Sequence, residues 1–300
     1  MTDNYVLLTG GKSNAGDFLI KKRAIALLGA LRPDRQLIDV NAWEPVDDTR
    51  LEIINRSKAL ILTGGPALQK NMYPGVYPLR ENLDEIEVPI LALGIGWKSL
   101  TGNWSDTRNY PLSRDTLRLL QRIDRSGYLS SVRDYHTLNV LFHHGFNNFQ
   151  MTGCPALYSP ESEWSPNLNS PIKKVSFSLG VSFLSSKVME QQMQSMLSML
   201  GDKFGNSRVT TVFHHSTSQT FLKTHNATRH HLKGHLKFIE WLEARSFPYV
   251  DISGSADRMI EHYSGTDMHV GYRVHAHILM SSISKPSILL AEDGRGKALK

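Results

Sequence analysis

The sequence predicts an α/β protein with two Rossmann-like lobes, whose parallel sheets face a central cleft. Short apolar runs that end in glycine or at a turn alternate with amphipathic stretches along most of the 300 residues. Such alternation of strands and helices predicts right-handed βαβ crossovers and therefore parallel sheets. The length exceeds what one ordinary core needs, and a proline-rich interruption near the middle separates two such series. Two lobes with a cleft between them follow from these observations.

The first series of elements occupies residues 1–158 and forms the predicted N-terminal lobe. Its strand candidates are the apolar runs YVLLTGG, QLIDV, ALILTGG, PILALGIG, YLSSVRD and FQMTGCPAL. Its helix candidates carry apolar residues at helical spacing, and they are DFLIKKRAIALLGAL, SRDTLRLLQRID and HTLNVLFHHG.

The second series occupies residues 175–300 and forms the predicted C-terminal lobe. Residues 159–174 (SPESEWSPNLNSPIKK) lack periodicity and are rich in proline, serine and asparagine, so they are the predicted linker. The strand candidates that follow are KVSFSLGVSF, RVTTVFHH, YVDIS, DMHVGYR and PSILLAE. Helices are predicted at 187–200, near 230–245, between YVDIS and DMHVGYR, and at 275–284.

The charge balance favours anionic ligands. The formal net charge of +6 suits phosphates, nucleic acid or a membrane surface. Nucleic acid is not expected, because the chain has no dense Lys/Arg run and no interleaved aromatic array. No apolar run approaches the roughly 18–20 residues that span a bilayer, and MTDNYVLLTGG is typical of a strand, not of a signal peptide. With Cys154 as the single cysteine, a reducing compartment is expected.

Polar residues follow several strands of the first lobe, where ligands of open α/β sheets bind. Asn14 and Asp17 follow the first strand, Gly65 ends the third, and Arg133 follows YLSSV. Glycine at a strand end lets the backbone approach a ligand closely. For Asn14 and Asp17 the alternative is a helix cap, and for Arg133 it is an ion pair with Asp134 or a cap.

Histidines gather in the second lobe. His214 and His215 follow RVTTVF and would point to opposite faces of an extended strand. His231 and His235 have the i, i+4 spacing that two metal ligands on one helix would use. No third ligand occurs at an obvious spacing, so no metal is expected, and these imidazoles are predicted to line a polar loop.

Cationic residues follow both strands of the last predicted βαβ unit. Arg273 and His275 precede a predicted helix, and Arg295 and Lys297 follow the next strand. A guanidinium binds carboxylate or phosphate through two hydrogen bonds, and Lys adds a mobile charge. Because the flanking residues are apolar or glycine, an anion site is favoured over a solvated basic surface.

Four segments of the chain resemble the polysaccharide pyruvyltransferases. They are NAGD at 14–17, LTGGP at 62–66, SVRDYHTLNVL at 131–141 and GYRVHAHILMSSISKPSILLAEDGRGK at 271–297. The resemblance runs over nearly the whole chain and implies a GT-B-like fold. It also implies transfer of a pyruvyl group from phosphoenolpyruvate to a sugar as a ketal, with release of phosphate.

The resemblance implies roles for the residues at the strand ends. The first lobe is the expected acceptor side and the second the donor side, with phosphoenolpyruvate as a co-substrate and no other cofactor. A sugar or lipid-linked oligosaccharide is the expected acceptor, in the cytoplasm or at the inner face of the membrane. The expected catalytic residues are His275 and Asp17, the donor ligands Arg273, Lys297, Arg133 and Arg295, and the acceptor ligands Asn14, Gly65, His214 and His215.

Two positions depart from the family pattern. Cys154 stands in TGCPAL where the family often has aspartate, and Arg295 stands in AEDGRGK where a YDPK-like run is usual. Two alternatives stay open. One is a GT-B glycosyltransferase that uses a nucleotide sugar, and the other is a non-catalytic glycan-binding protein on the same fold. The sequence assigns no oligomeric state.

Overall fold

A computed structural model describes residues 3–12, 14–159, 171–219 and 229–299. The chain forms two compact units. Unit 1 contains Met1–Gly10, Ile20–Pro160 and Asp293–Lys300, and unit 2 contains Gly11–Leu19 and Glu161–Glu292. The division near residue 160 lies at the predicted linker, most of which is outside the described residues. Two short segments pack with a different unit from the one expected, namely 11–19 with unit 2 and 293–300 with unit 1.

The strands of unit 1 are all parallel. They are β1 (Asn4–Thr9), β2 (Gln36–Asn41), β3 (Ala59–Thr63), β4 (Ile90–Leu93), β5 (Ser130–Val132) and β6 (Phe149–Met151). The order β2-β1-β3-β4 forms one sheet, and β5 pairs with β6. A bridge between Ile95 and Val132 sets β5 beside the chain that leaves β4. Each strand coincides with a predicted apolar run.

The helices of unit 1 include two that the sequence reading missed. The helices are α1 (Ala15–Leu31, from Ile20 onward in this unit), α2 (Asp48–Asn55), α3 (Trp104–Arg108), α4 (Arg114–Asp124) and α5 (Tyr135–His143). The missed helices, α2 and α3, are short and largely polar, so their hydrophobic period is weak. Helix α2 begins with a side-chain cap, because Asp47 accepts a hydrogen bond from the Arg50 amide at 2.9 Å.

The core of unit 1 lies on both faces of β3. All five residues of this strand are buried, as expected of a central parallel strand covered on both sides. Leu60 and Leu62 join a large apolar cluster with residues of β1, α4 and α5, whereas Ile61 packs with Leu7 on the opposite face.

Unit 2 holds one parallel sheet of five strands. They are β7 (Val175–Ser178), β8 (Val209–Phe213), β9 (Tyr249–Asp251), β10 (Met268–Gly271) and β11 (Ser287–Leu289), in the order β11-β10-β7-β8-β9. Its helices are α6 (Lys187–Phe204), α7 (Arg229–Glu243), α8 (Ala256–Ser264) and α9 (Val274–Ser282). A one-turn helix, α10 (Gly294–Lys297), belongs to unit 1.

The predicted α/β class with parallel sheets in two lobes is confirmed, whereas the cleft stays a prediction.

None of the helices in the described ranges combines the length and the apolarity that a bilayer crossing requires. Cys154 is buried, in keeping with a role in packing.

Candidate functional site

The junction between β10 and α9 holds Arg273 in a fixed position. The Arg273 amide donates to Ser178 Oγ at 3.1 Å, and its Nε donates to the Leu179 carbonyl at 2.6 Å. Gly271 makes this approach feasible, since it has a φ of +150° and a Cβ there would lie 2.5 Å from Ser178 Oγ. The guanidinium is thereby anchored to the carboxyl end of the neighbouring strand β7.

Glu292 organises the loop that follows β7, and the sequence reading missed it. Its carboxylate accepts hydrogen bonds from the Val181 amide at 3.1 Å and the Ser182 hydroxyl at 2.8 Å. Gly180 leaves room for this carboxylate, because a Cβ on Gly180 would lie 2.9 Å from Glu292 Cδ. The sequence feature that indicates it is an acidic residue at the end of the apolar run PSILLAE. Glu292 therefore stabilises the loop whose carbonyl groups hold Arg273.

The start of α1 packs against His275. A Cβ on Gly16 would lie 2.6 Å from His275 Cγ, closer than side chains approach one another. The Ala15 amide donates to the His214 carbonyl at 3.2 Å. Unit 2 therefore brings the 14–17 segment together with His214 and His275.

Asn14 caps the first turn of α1, as the alternative reading expects. Its Oδ1 accepts from the Gly16 amide at 3.4 Å, and its carbonyl accepts from the Asp17 amide at 3.0 Å. Asp17 lies in the first helical turn, where a carboxylate is favoured by the helix dipole. Both residues belong to unit 2 through this packing, although the sequence places them with the first lobe.

A buried network of histidine and serine side chains supports the β10–α9 junction. His269, fully buried, is bonded through Nε2 to Ser178 Oγ and through Nδ1 to Ser287 Oγ, each at 2.8 Å. His277 Nδ1 lies 2.8 Å from the same Ser287 hydroxyl. Burial lowers the pKa of His269 to about 3, with His277 and His262 adding to the effect. The imidazole beneath Arg273 is therefore neutral at physiological pH.

His214 is buried at the end of β8. Its Nε2 lies 2.8 Å from the Tyr263 hydroxyl. Burial, followed by the charge of Arg273, holds the pKa of His214 well below its ordinary value. Within the described part of the chain, His214 Nδ1 has no hydrogen-bond partner. A neutral ring with one nitrogen unsatisfied is a candidate for contact with a bound polar group.

Three further histidines of unit 2, His215, His231 and His235, form a separate group. The rings of His231 and His235 lie 4.5 Å apart and nearly perpendicular, and His215, half-buried, lies 6.3 Å from His231. Burial and the neighbouring His231 lower the pKa of His235 to about 3. In the described ranges, no three His, Cys, Asp or Glu side chains are arranged to hold a metal ion.

In unit 1, Arg133 and Asp134 form a buried pair at the end of β5. Arg133 Nε lies 3.4 Å from Asp134 Oδ2, and both side chains are 1% exposed. Asp134 also caps α5, accepting from the amide and the hydroxyl of Thr137 at 2.7 Å each. Gly96 makes room for the guanidinium, since a Cβ there would lie 2.8 Å from Arg133 Cδ. Both alternative readings of this pair are therefore correct.

Arg133 still has one unsatisfied group. Among the described residues, no hydrogen-bond acceptor contacts its buried Nη2. A buried cationic N–H group without an acceptor is costly, so such groups often mark a ligand site.

Gly65, which also lies in unit 1, has a φ of +71°, and a Cβ there would meet no atom within 4 Å. The backbone at Gly65 therefore borders open space.

Arg295 and Lys297 lie on α10 in unit 1. Arg295 donates from Nε and Nη2 to Asp293 Oδ2 at 2.9 and 2.5 Å, and Lys297 Nζ donates to the Thr101 carbonyl. The Gly294 amide donates to the Ser99 carbonyl at 2.9 Å, which ties α10 to this unit. Since Arg273 belongs to unit 2, the predicted convergence of these cations on one ligand stays a prediction.

Two solved structures that contain UDP are similar to this chain. The S. aureus MnaA–UDP co-structure has a TM-score of 0.50 at 10% identity, over 99% of this chain and 82% of that one. UDP-GlcNAc 2-epimerase from Methanocaldococcus jannaschii, in complex with UDP-GlcNAc and UDP, has a TM-score of 0.49 at 12% identity, over 100% and 92% of the two chains. The first of these likenesses supports the GT-B-like fold.

The sequence comparisons assign the family. No curated protein matches the chain significantly. The sequence model described as polysaccharide pyruvyl transferase, however, matches residues 14–294 of the 300. This range begins at Asn14 and includes the Arg133, Arg273 and His275 motifs. The chain belongs to the polysaccharide pyruvyltransferase family, a family of transferases.

Proposed function

We propose that this protein transfers a pyruvyl group from phosphoenolpyruvate to two hydroxyl groups of one sugar, forming a cyclic ketal and releasing phosphate. The observation that carries the proposal is the anchored Arg273 two residues before His275, within a chain of this family. The donor carries a carboxylate and a phosphate, and a guanidinium held by the Leu179 and Gly180 carbonyls is suited to bind either group.

The reaction requires one proton donor and one proton acceptor. A proton added to the methylene carbon of the donor leaves positive charge at the adjacent carbon, which the first sugar hydroxyl attacks while losing its own proton. The carbon–oxygen bond to phosphate then breaks, and the second hydroxyl attacks the same carbon, its proton leaving with phosphate. In this proposal His275 transfers the proton at the methylene, because the ordinary pKa of imidazole is near neutrality. Asp17 orients or deprotonates the acceptor hydroxyl.

The remaining expected residues take supporting roles in the proposal. Arg133 binds a donor anion through its buried Nη2, which has no acceptor in the described chain. Lys297 and Arg295 are further donor ligands, although Arg295 must share its guanidinium with Asp293. The proposed acceptor ligands are Asn14, Gly65, His214 and His215.

The proposal needs phosphoenolpyruvate as co-substrate and no metal, because fixed cations can stabilise the developing charge. The acceptor is a glycan or a lipid-linked oligosaccharide. We place the reaction in the cytoplasm or at the inner face of the membrane, where both substrates would be available.

Phosphate release tests the proposal directly. Purified wild type, His275→Ala and Arg273→Ala are compared with phosphoenolpyruvate and a panel of glycan acceptors. Both variants should lose most of their turnover, whereas Arg208→Ala, which changes an exposed arginine of the same unit, should keep it. If folded His275→Ala and Arg273→Ala both retained wild-type turnover, the assignment of the site would be wrong.

A nucleotide-sugar reaction is the second candidate, and the likeness to the MnaA–UDP co-structure favours it. Thermal denaturation separates the two candidates, because a ligand that binds only the folded state raises the melting temperature. Phosphoenolpyruvate should stabilise the wild type and UDP-sugars should not. Stabilisation by UDP-sugars alone would favour glycosyl transfer.

A further inference from the structure

Three aromatic rings form a stack in unit 1 that ends at the surface. The rings of Trp97 and His136 lie 5.2 Å apart at 22°, and those of His136 and Trp104 lie 4.1 Å apart at 18°. Trp97 is fully buried, whereas Trp104 is 54% exposed. The imidazole covers one face of the Trp104 indole, so the outer face is the exposed one.

The exposed indole borders a small cavity that it shares with polar residues. The cavity measures about 390 Å³ and is lined by Trp104, Ser105, Arg108 and Asn139. Asn139 Nδ2 donates to Thr107 Oγ1 at 2.6 Å, and this bond fixes the orientation of the amide. Hydroxyl, guanidinium and carboxamide groups therefore line the same cavity as the indole.

The stack is rigidly supported. Burial lowers the pKa of His136, which keeps its ring neutral against the two indoles. The Trp97 amide donates to Thr137 Oγ1 at 2.8 Å, and the same hydroxyl donates to Asp134. The platform is thus connected to the Arg133–Asp134 pair by one turn of α5.

We propose that Trp104 is the stacking platform of a carbohydrate subsite, with Asn139, Arg108 and Ser105 binding the sugar hydroxyls. A pyranose ring has an apolar C–H face and a rim of hydroxyl groups. An indole that lines a cavity together with hydroxyl, guanidinium and carboxamide groups complements both features, whereas an apolar peptide would leave these polar groups unsatisfied. The subsite binds a sugar of the glycan acceptor, and this identification rests on the proposed function.

Binding measured without donor tests the subsite independently of catalysis. Isothermal titration uses tetrasaccharides of glucose, galactose and N-acetylglucosamine, and UMP as the nucleotide probe. The wild type should bind at least one tetrasaccharide, and Trp104→Ala should weaken that binding about tenfold, whereas Trp104→Phe should lose less because it keeps an aromatic face. Tyr128→Ala, which removes a comparably exposed aromatic ring of unit 1, should bind as the wild type does.

The outcomes separate this subsite from the reaction. If Arg273→Ala lost phosphate release but kept tetrasaccharide binding, the subsite would be supported whatever the chemistry. The subsite is refuted if folded Trp104→Ala binds as tightly as the wild type. It is also refuted if the wild type binds none of the tetrasaccharides, or if UMP alone binds in a Trp104-dependent way.

Discussion

Replacing Gly16 with alanine should impair catalysis without unfolding the protein. A Cβ at this position would lie 2.6 Å from His275 Cγ and 2.8 Å from His275 Cβ, and nearer still to Nδ1. Rotation of the imidazole cannot relieve the contact with His275 Cβ, so the residue itself must move. Gly16 lies within α1, and alanine is the better helix former, so the substitution favours the helix itself.

The size of the effect follows from the overlap. Ordinary contact begins at 3.4 Å, so the new Cβ and His275 Cγ, 2.6 Å apart, must separate by about 0.8 Å. Displacement of a catalytic group by about 1 Å costs on the order of 100-fold in rate. We therefore expect kcat for phosphate release to fall by about two orders of magnitude in Gly16→Ala.

Gly29→Ala is the matched control, since Gly29 is exposed on the same helix and a Cβ there meets no atom within 4 Å. It should keep full activity and gain about 0.5–1 kcal/mol in the free energy of unfolding. Circular dichroism checks that both variants fold. If folded Gly16→Ala retained kcat within about threefold of the wild type, the contact with His275 would not govern catalysis.

Three further predictions concern stability. Asp134→Ala leaves the Arg133 charge buried without its partner and should cost about 3–5 kcal/mol in the free energy of unfolding; a loss below about 1 kcal/mol in urea denaturation would contradict the buried pair. Because the pKa of His269 is lowered to about 3, the unfolded state binds its proton first as the pH falls below about 6.5. Stability should therefore fall by about 1.4 kcal/mol per pH unit from this residue alone between about pH 6 and 3. In His269→Gln, the number of protons bound on unfolding in this pH range should fall by one. A slope of the unfolding free energy against pH equal to that of the wild type would refute the lowered pKa of His269. Glu292→Ala removes the acceptor of the Val181 amide and should cost about 1–3 kcal/mol, visible as a lower melting temperature, whereas an unchanged melting temperature would argue against this support.

The strands could be predicted because their signal is local. Apolar runs such as ALILT and VSFS end at glycine or serine, and each forms a buried parallel strand. Helices α2 and α3 could not be predicted, because a short polar helix shows little hydrophobic periodicity. Its start depends instead on a cap such as Asp47. The sequence allows helix caps at Asn14 and Asp134, and the structure contains both.

The local sequence pattern could not predict which unit residues 11–19 and 293–300 pack with. Residues 11–19 follow a strand of unit 1, yet the Ala15 amide bonds to the His214 carbonyl in unit 2. Likewise Lys297 follows a strand of unit 2, but Gly294 packs against Ser99 in unit 1. Such contacts join residues about 200 positions apart, and only tertiary packing determines them.

The shared Ser287 hydroxyl couples the tautomers of two histidines. It lies within hydrogen-bond distance of Nδ1 on both His269 and His277, but it has a single hydrogen to give. At least one of the two imidazoles must therefore carry its hydrogen on Nδ1. If that ring is His269 in its neutral form, its Nε2 is an acceptor, and Ser178 must donate to it while accepting from the Arg273 amide. The orientation of the Ser287 hydroxyl therefore determines which tautomer His269 adopts. That tautomer in turn determines whether Ser178, which accepts from the Arg273 amide, donates its own hydrogen to His269.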